Sequence, residues 1–119
     1  MTDLNPQILT INNAQEAYEE ILNIECTKAG AHLMKDKAVF KVIKLHNLDT
    51  KAANILKQTF LSKGGEVAVS HFCVDLSKPT SDVIIMATVH QYKLAIAVLK
   101  IQPFGLKTVA DLLTKQIES

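Results

Sequence analysis

Seven polar side chains in three segments could do chemistry in this chain: Asn54, Lys57 and Gln58; Thr88, Gln91 and Tyr92; and Gln102, just ahead of Pro103-Phe104-Gly105. Carboxamides, a hydroxyl, a phenol and one amine can recognise a ligand or a partner by hydrogen bonds. Thr88 and Gln102 are explained equally well by a helix cap and a turn. A smaller set, Lys57, His90 and Tyr92, could serve a small enzyme, which would require them to gather in one pocket with a perturbed lysine or histidine.

Other reactive residues are scattered. His32, His46, His71 and His90 stand alone in sequence and read as surface or satisfied core histidines. Cys26 and Cys73 form no C-x-x-C pair, and grouping them with His32 and His71 gives no zinc-finger spacing. Both cysteines therefore read as small hydrophobes, and no metal site is expected. There is no G-x-G-x-x-G, P-loop, G-x-S-x-G or H-E-x-x-H. Gly64-Gly65 follows a helix, whereas a phosphate cradle needs its glycines at a helix start. No cofactor is expected, and the periodicity favours a domain that is not catalytic on its own.

Charge narrows the partners. Residues 1 to 25 carry five acids and no lysine, while residues 28 to 63 carry eight lysines against Asp36 and Asp49. All 13 basic residues are lysine, and aromatics make up only 5%. A nucleic-acid surface would use arginine for bidentate contacts and interleave aromatics, so no nucleic-acid partner is expected. The acidic and lysine-rich segments read as solvated faces.

The elements that must position these residues follow from pattern. Gln7 to Ile11 reads as a short strand, and Asn13 with Glu16 as a capping box for a helix with Ala14, Ala17, Tyr18, Ile21 and Leu22 on one stripe. Residues 23 to 37 fit no element, with a break at Gly30. Ala38 to Leu45 reads as a strand near a sheet edge, or as one whose lysines, Lys41 and Lys44, sit close to its ends. His46 to Asp49 reads as a turn whose Asp49 or Thr50 caps a helix over Lys51 to Lys63, inward at Ala52, Ile55, Leu56, Thr59 and Phe60. Gly64 should stop it in the left-handed conformation. Glu66 to Val74 reads as a strand and Asp75 to Ser81 as a loop. Val83 to Ala87 is apolar throughout, the pattern of a central strand buried on both faces. Thr88 caps a helix to about Ile101, inward at Leu94, Ala95, Val98 and Leu99. Leu106 to Ile117 forms a last helix.

This order gives an α+β class: a two-layer sandwich with a mixed sheet of about four strands covered by helices, in a ferredoxin-like pattern between residues 38 and 101. With 119 residues, 48% of them hydrophobic, the chain reads as one domain over 1–119. It is too short for a (β/α)8 barrel, which needs about 200 residues or more. No apolar run reaches the roughly 20 residues that span a bilayer, and Met1 to Pro6 has no signal-like pattern. No membrane partner and a cytoplasmic location are expected.

Several segments also match a known family in order and spacing. Ala52-Ala53-Asn54-Ile55-Leu56-Lys57-Gln58, Gly64-Gly65-Glu66-Val67-Ala68-Val69, Ser81-Asp82-Val83, Ala87-Thr88, Gln91-Tyr92, Leu99-Lys100 and Gln102-Pro103-Phe104-Gly105-Leu106 resemble the N-terminal extension of long-form bacterial dihydropteroate synthases. The resemblance covers residues 37 to 115. It implies a module that precedes a pterin-binding barrel, which joins a dihydropterin diphosphate to 4-aminobenzoate in folate synthesis. The barrel's own residues are absent here, so no catalytic residue is implied. Ala87 stands where the resemblance implies glycine, which would narrow any backbone approach at that strand end.

The resemblance thus implies an accessory domain acting through a barrel partner or by self-association, with a homodimer as one form. The alternatives are a small-ligand-binding regulatory module of the dimeric ferredoxin-like type, or a small enzyme of another kind. The first strand-to-helix turn, Asn47-Leu48-Asp49-Thr50, lacks the glycine usual in amino-acid-binding regulatory domains.

Overall fold

A computed structural model describes residues 3 to 118; Met1 and Thr2, the start of the Met1–Pro6 stretch read above, lie outside it, as does Ser119. The chain divides into two compact units, Met1–Val39 and Phe40–Ser119. No helix among the described residues is long and apolar enough to cross a membrane.

The first unit is helical. Helix α1 (Ala14–Asn23) starts at Asn13, whose side chain accepts from the Glu16 N–H, while the Glu16 carboxylate reaches back to the Asn12 N–H at 2.7 Å. The expected box is thus present but displaced by one residue. Helix α2 (Lys28–Met34), capped by Thr27, and a short 3-10 turn (Lys35–Ala38) occupy the stretch that fits no pattern in sequence. Gly30 does not break α2. Its missing Cβ would lie 3.0 Å from the Thr27 hydroxyl and 3.2 Å from the Cys26 sulfur, so glycine is what lets the cap close. Gln7 to Ile11 is not a strand: residues 3 to 12 have no regular structure, and Ile8 is 97% exposed with no neighbouring strand to pair with.

The second unit holds β1 (Phe40–Asp49), α3 (Thr50–Ser62), β2 (Glu66–Val69), β3 (Thr80–Thr88), α4 (Val89–Leu99) and α5 (Leu106–Glu118). The sheet has three strands in the order β1-β3-β2, and β3 is antiparallel to both neighbours. β1 and β2 are therefore parallel to each other but never adjacent, which gives an antiparallel sheet of three strands where a mixed one of about four was expected. The split β-α-β arrangement and the α+β class hold.

β1 runs through the expected turn to Asp49 because the register shifts between Leu45 and Leu48, where Asn47 takes φ +56° and donates its N–H to Asp82 Oδ1 at 3.0 Å. Asp49 Oδ1 then accepts from the Lys51 and Ala52 N–H groups, starting α3. Gly64, at φ +87°, ends it: its N–H bonds to the Leu61 carbonyl and that of Gly65 to the Phe60 carbonyl, the paired closure of a Schellman motif. β2 stops at Val69, and His71–Cys73 forms a 3-10 turn opened by Ser70, whose hydroxyl accepts from the Phe72 N–H.

Helices α3 and α4 cover one face of the sheet, and α5 packs on α4. Leu56, Phe60, Val67, Ile85, Tyr92, Leu99, Leu106 and Leu113 are fully buried there. Leu94, expected inward, is 42% exposed; Tyr92 and Ile96 take the inward positions of α4. β3 is central but is not covered on both sides: Ile85 is fully buried while Ile84 is 37% exposed. A single helical layer can bury only alternate residues of a strand.

Candidate functional site

Five of the seven sequence-derived candidates hold the backbone together. Asn54 donates from Nδ2 to the Cys73 carbonyl at 2.8 Å, tying α3 to the turn after β2. Lys57 donates to the Val67 carbonyl at 3.0 Å and lies 3.4 Å from Glu66 Oε1. The Val67 N–H, then Lys57, hold the Glu66 carboxyl below the usual carboxylate range. Thr88 and Gln91 close a capping box: the Thr88 hydroxyl accepts from the Gln91 N–H at 3.2 Å, and Gln91 Oε1 accepts from the Thr88 N–H at 2.8 Å.

Tyr92 is the most deeply committed. Its hydroxyl donates toward the carbonyls of Lys41 at 2.9 Å and Ile85 at 3.2 Å, so it stitches β1 to β3 from the helix side. Its ring meets Phe60 edge-on, with centroids 5.3 Å apart. Burial pushes its ionisation well above the usual phenol range. A fully buried hydroxyl on two carbonyls acts as a structural bolt.

The strand end beside it is tight. A Cβ on Gly65 would sit 3.1 Å from the Ala87 Cβ, 3.3 Å from the Met86 carbonyl oxygen and 3.3 Å from the Phe60 ring. The close backbone approach is therefore made, with Gly65 supplying the room that Ala87 does not.

The structure brings three candidates together. Asn54, Gln58 and Gln102 rim a shallow groove of about 440 Å³ between α3 and the end of α4, completed by Ile55, Thr59, Ser62 and Val98. Residues 54, 55, 58, 59 and 62 fall at helical spacing, so one face of α3 supplies most of it. Ser62 and Val98 escape sequence reasoning as site residues, although that spacing is the signal that would include Ser62. The Thr59 and Ser62 hydroxyls already bond to the Ile55 and Thr59 carbonyls. Three carboxamides over an apolar floor of Ile55 and Val98 offer donors and acceptors without charge. Such a groove suits an uncharged polar surface; a phosphate or carboxylate would call for lysine, arginine or a helix N-terminus.

Lys57, His90 and Tyr92 do not line this groove, and the Tyr92 hydroxyl is enclosed. Among the described residues no three His, Cys, Asp or Glu side chains are grouped as a metal would need. A further electrostatic feature lies on the sheet: the Asn47 N–H, with His46 and Lys44 nearby, holds the Asp82 carboxyl below its usual range, and His46 Nδ1 is 3.7 Å from Asp82 Oδ2.

Comparison with known proteins agrees with the motifs. A "Probable bifunctional folylpolyglutamate synthase/dihydropteroate synthase" of Halobacterium salinarum is 34% identical over 103 residues, which cover 86% of this chain and 12% of that protein. A "Bifunctional dihydropteroate synthase/dihydropteroate reductase" of Helicobacter pylori is 33% identical over 92 residues, covering 77% of this chain and 24% of that protein. No family model and no solved structure matches. One of these relatives is archaeal, so the likeness reaches beyond bacterial proteins. The chain spans no more than a quarter of either relative, and it is thus related to a segment of proteins named for dihydropteroate synthase, the kinship that its motifs between residues 37 and 115 point to.

Proposed function

We propose that this chain is an accessory module of folate biosynthesis that docks on a dihydropteroate synthase barrel and does no chemistry of its own. One observation carries the reading: segments like it make up 12% and 24% of polypeptides named for dihydropteroate synthase. A segment tethered in this way works at the high effective concentration its tether provides. The uses to which its polar residues are put support the same reading. Thr88, Gln91, Tyr92, Asn54 and Lys57 fasten backbone, and the groove rimmed by Gln58 and Gln102 carries no cation for a pterin diphosphate.

Light-scattering chromatography of the chain mixed with a short-form dihydropteroate synthase tests this. A stable mixed peak is expected, weakened by Gln58→Glu or Gln102→Glu, each of which puts charge into an uncharged groove. Turnover of a dihydropterin diphosphate with 4-aminobenzoate by the chain alone would overturn the reading.

A second reading, a small-ligand regulatory module, is favoured by the groove's volume, which lies within the range of small-molecule sites. A thermal-shift screen with amino acids and pterins separates the two. Ligand at 100 times its dissociation constant adds about 2.7 kcal/mol, which such a screen detects.

A further inference from the structure

We infer that Phe104, with Ile101 beside it, is the anchor that seats this chain in an apolar, carboxylate-rimmed pocket of a dihydropteroate synthase; the inference rests on the accessory reading above. The turn that carries Phe104 opens the argument. The Leu106 N–H reaches the Pro103 carbonyl at 3.4 Å, and the two residues between, Phe104 and Gly105, have φ of +61° and +80°. That is the φ pattern of a type I′ turn, whose central positions take glycine, asparagine or aspartate because a bulky side chain is strained there. Gly105 obeys the rule and Phe104 breaks it. Burial does not compensate: Phe104 is 50% exposed and Ile101 83%, whereas Leu106 is fully buried. Asparagine at 104 would serve the turn better, so the ring answers to something outside the chain.

Charge around the ring sets the chemistry of the partner. Lys51 Nζ lies 5.6 Å from the ring centroid and belongs to the first turn of α3, where the helix field favours carboxylates. Lys107 stands in the first turn of α5 in the same way, and Lys100 directly precedes Ile101. Neither helix has an acidic residue in its first turn. Among the described residues none of these three lysines pairs with a carboxylate, and the Asp49 carboxylate ahead of α3 accepts from the Lys51 and Ala52 N–H groups. An apolar knob set among such lysines fits an apolar pocket with an acidic rim. The knob also continues the groove described above, which is lined by Gln102, two residues before Phe104, and by Ile55, one turn after Lys51. Polypeptides named for dihydropteroate synthase hold a like segment in the same chain, so the synthase is the partner kept within reach.

Titration of the full chain against a short-form dihydropteroate synthase, with urea unfolding of each free variant, tests the inference. Phe104→Asn should raise the dissociation constant about 30-fold or more, while the urea midpoint of the free chain stays level or rises. Ile101→Asp should weaken the complex as well. Lys51→Glu should weaken it about tenfold, chiefly by slowing association, and should flatten its dependence on salt. A complex indifferent to Phe104→Asn overturns the inference and leaves the accessory role standing. A lower urea midpoint in Phe104→Asn also overturns it, since the ring would then belong to the fold. No complex with the unaltered chain overturns the inference and the accessory reading together, and a homodimer that Phe104→Asn dissolves would put a second copy in the synthase's place.

Discussion

The two faces of β3 are made from the same kinds of side chain and live in different surroundings. Toward the helices, Val83, Ile85 and Ala87 are buried to within 1% of complete. On the other side, Ile84 is 37% exposed, and its register partners are Lys44 and Ala68. Hydropathy is nearly equal on the two sides, so the difference comes from what lies above each. Stabilisation follows area removed from water, and only the helix side removes it within one chain.

The sharpest way to break this comparison is a matched pair. Ile85→Ala should cost about 3 kcal/mol, whereas Ile84→Ala in the monomer should cost under about 1 kcal/mol. Urea unfolding at low protein concentration measures both, and equal losses would erase the distinction between the faces.

Next in size is the bolt between the strands. Tyr92→Phe should cost about 1.5 kcal/mol, since it leaves the Lys41 and Ile85 carbonyls short of a donor. The substitution also carries a pH signature. Burial raises the folded-state ionisation above the unfolded value near 10, so the tyrosine's contribution is complete below about pH 10 and is lost as pH rises beyond it. An alkaline limb that Tyr92→Phe leaves untouched would remove the hydroxyl from this role.

Gly65→Ala should cost about 1 kcal/mol by pressing on the Ala87 side chain and the Met86 carbonyl. Adding Ala87→Gly should return part of that loss, and a double-mutant cycle without coupling would contradict the contact. The smallest effect belongs to the open side. Asp82 has a depressed ionisation set first by the Asn47 N–H, so its contribution is present above about pH 4 and is lost as pH falls through the folded value. Asp82→Asn should only flatten the acid limb of a stability profile, and a larger loss than that of Gly65→Ala would mean that the open face is buried.

Local chemistry made much of the fold legible. Asp49 as a cap, Gly64-Gly65 as a stop and Thr88 as the start of α4 are decided by side chains within a few residues of the backbone they serve. What needed a partner across space was not legible. Gln7 to Ile11 has strand composition and no strand beside it, and Val83 to Ala87 gives no sign in sequence that one face is left open. The candidate site divided in the same way. Gln58 and Gln102 do share a groove, but Asn54 and Lys57 are taken by the carbonyls of Cys73 and Val67, bonds that exist only once β2 lies beside α3.

The chain has two tyrosines and no tryptophan, and each unit contains one of them: Tyr18 sits in α1 and Tyr92 in α4. With Tyr18→Phe, all remaining tyrosine emission would come from a ring packed against Phe60 whose hydroxyl spans the seam between β1 and β3. That variant carries a built-in optical gauge of the second unit alone, able to show whether the helical N-terminal unit and the sheet unfold in one event or in two.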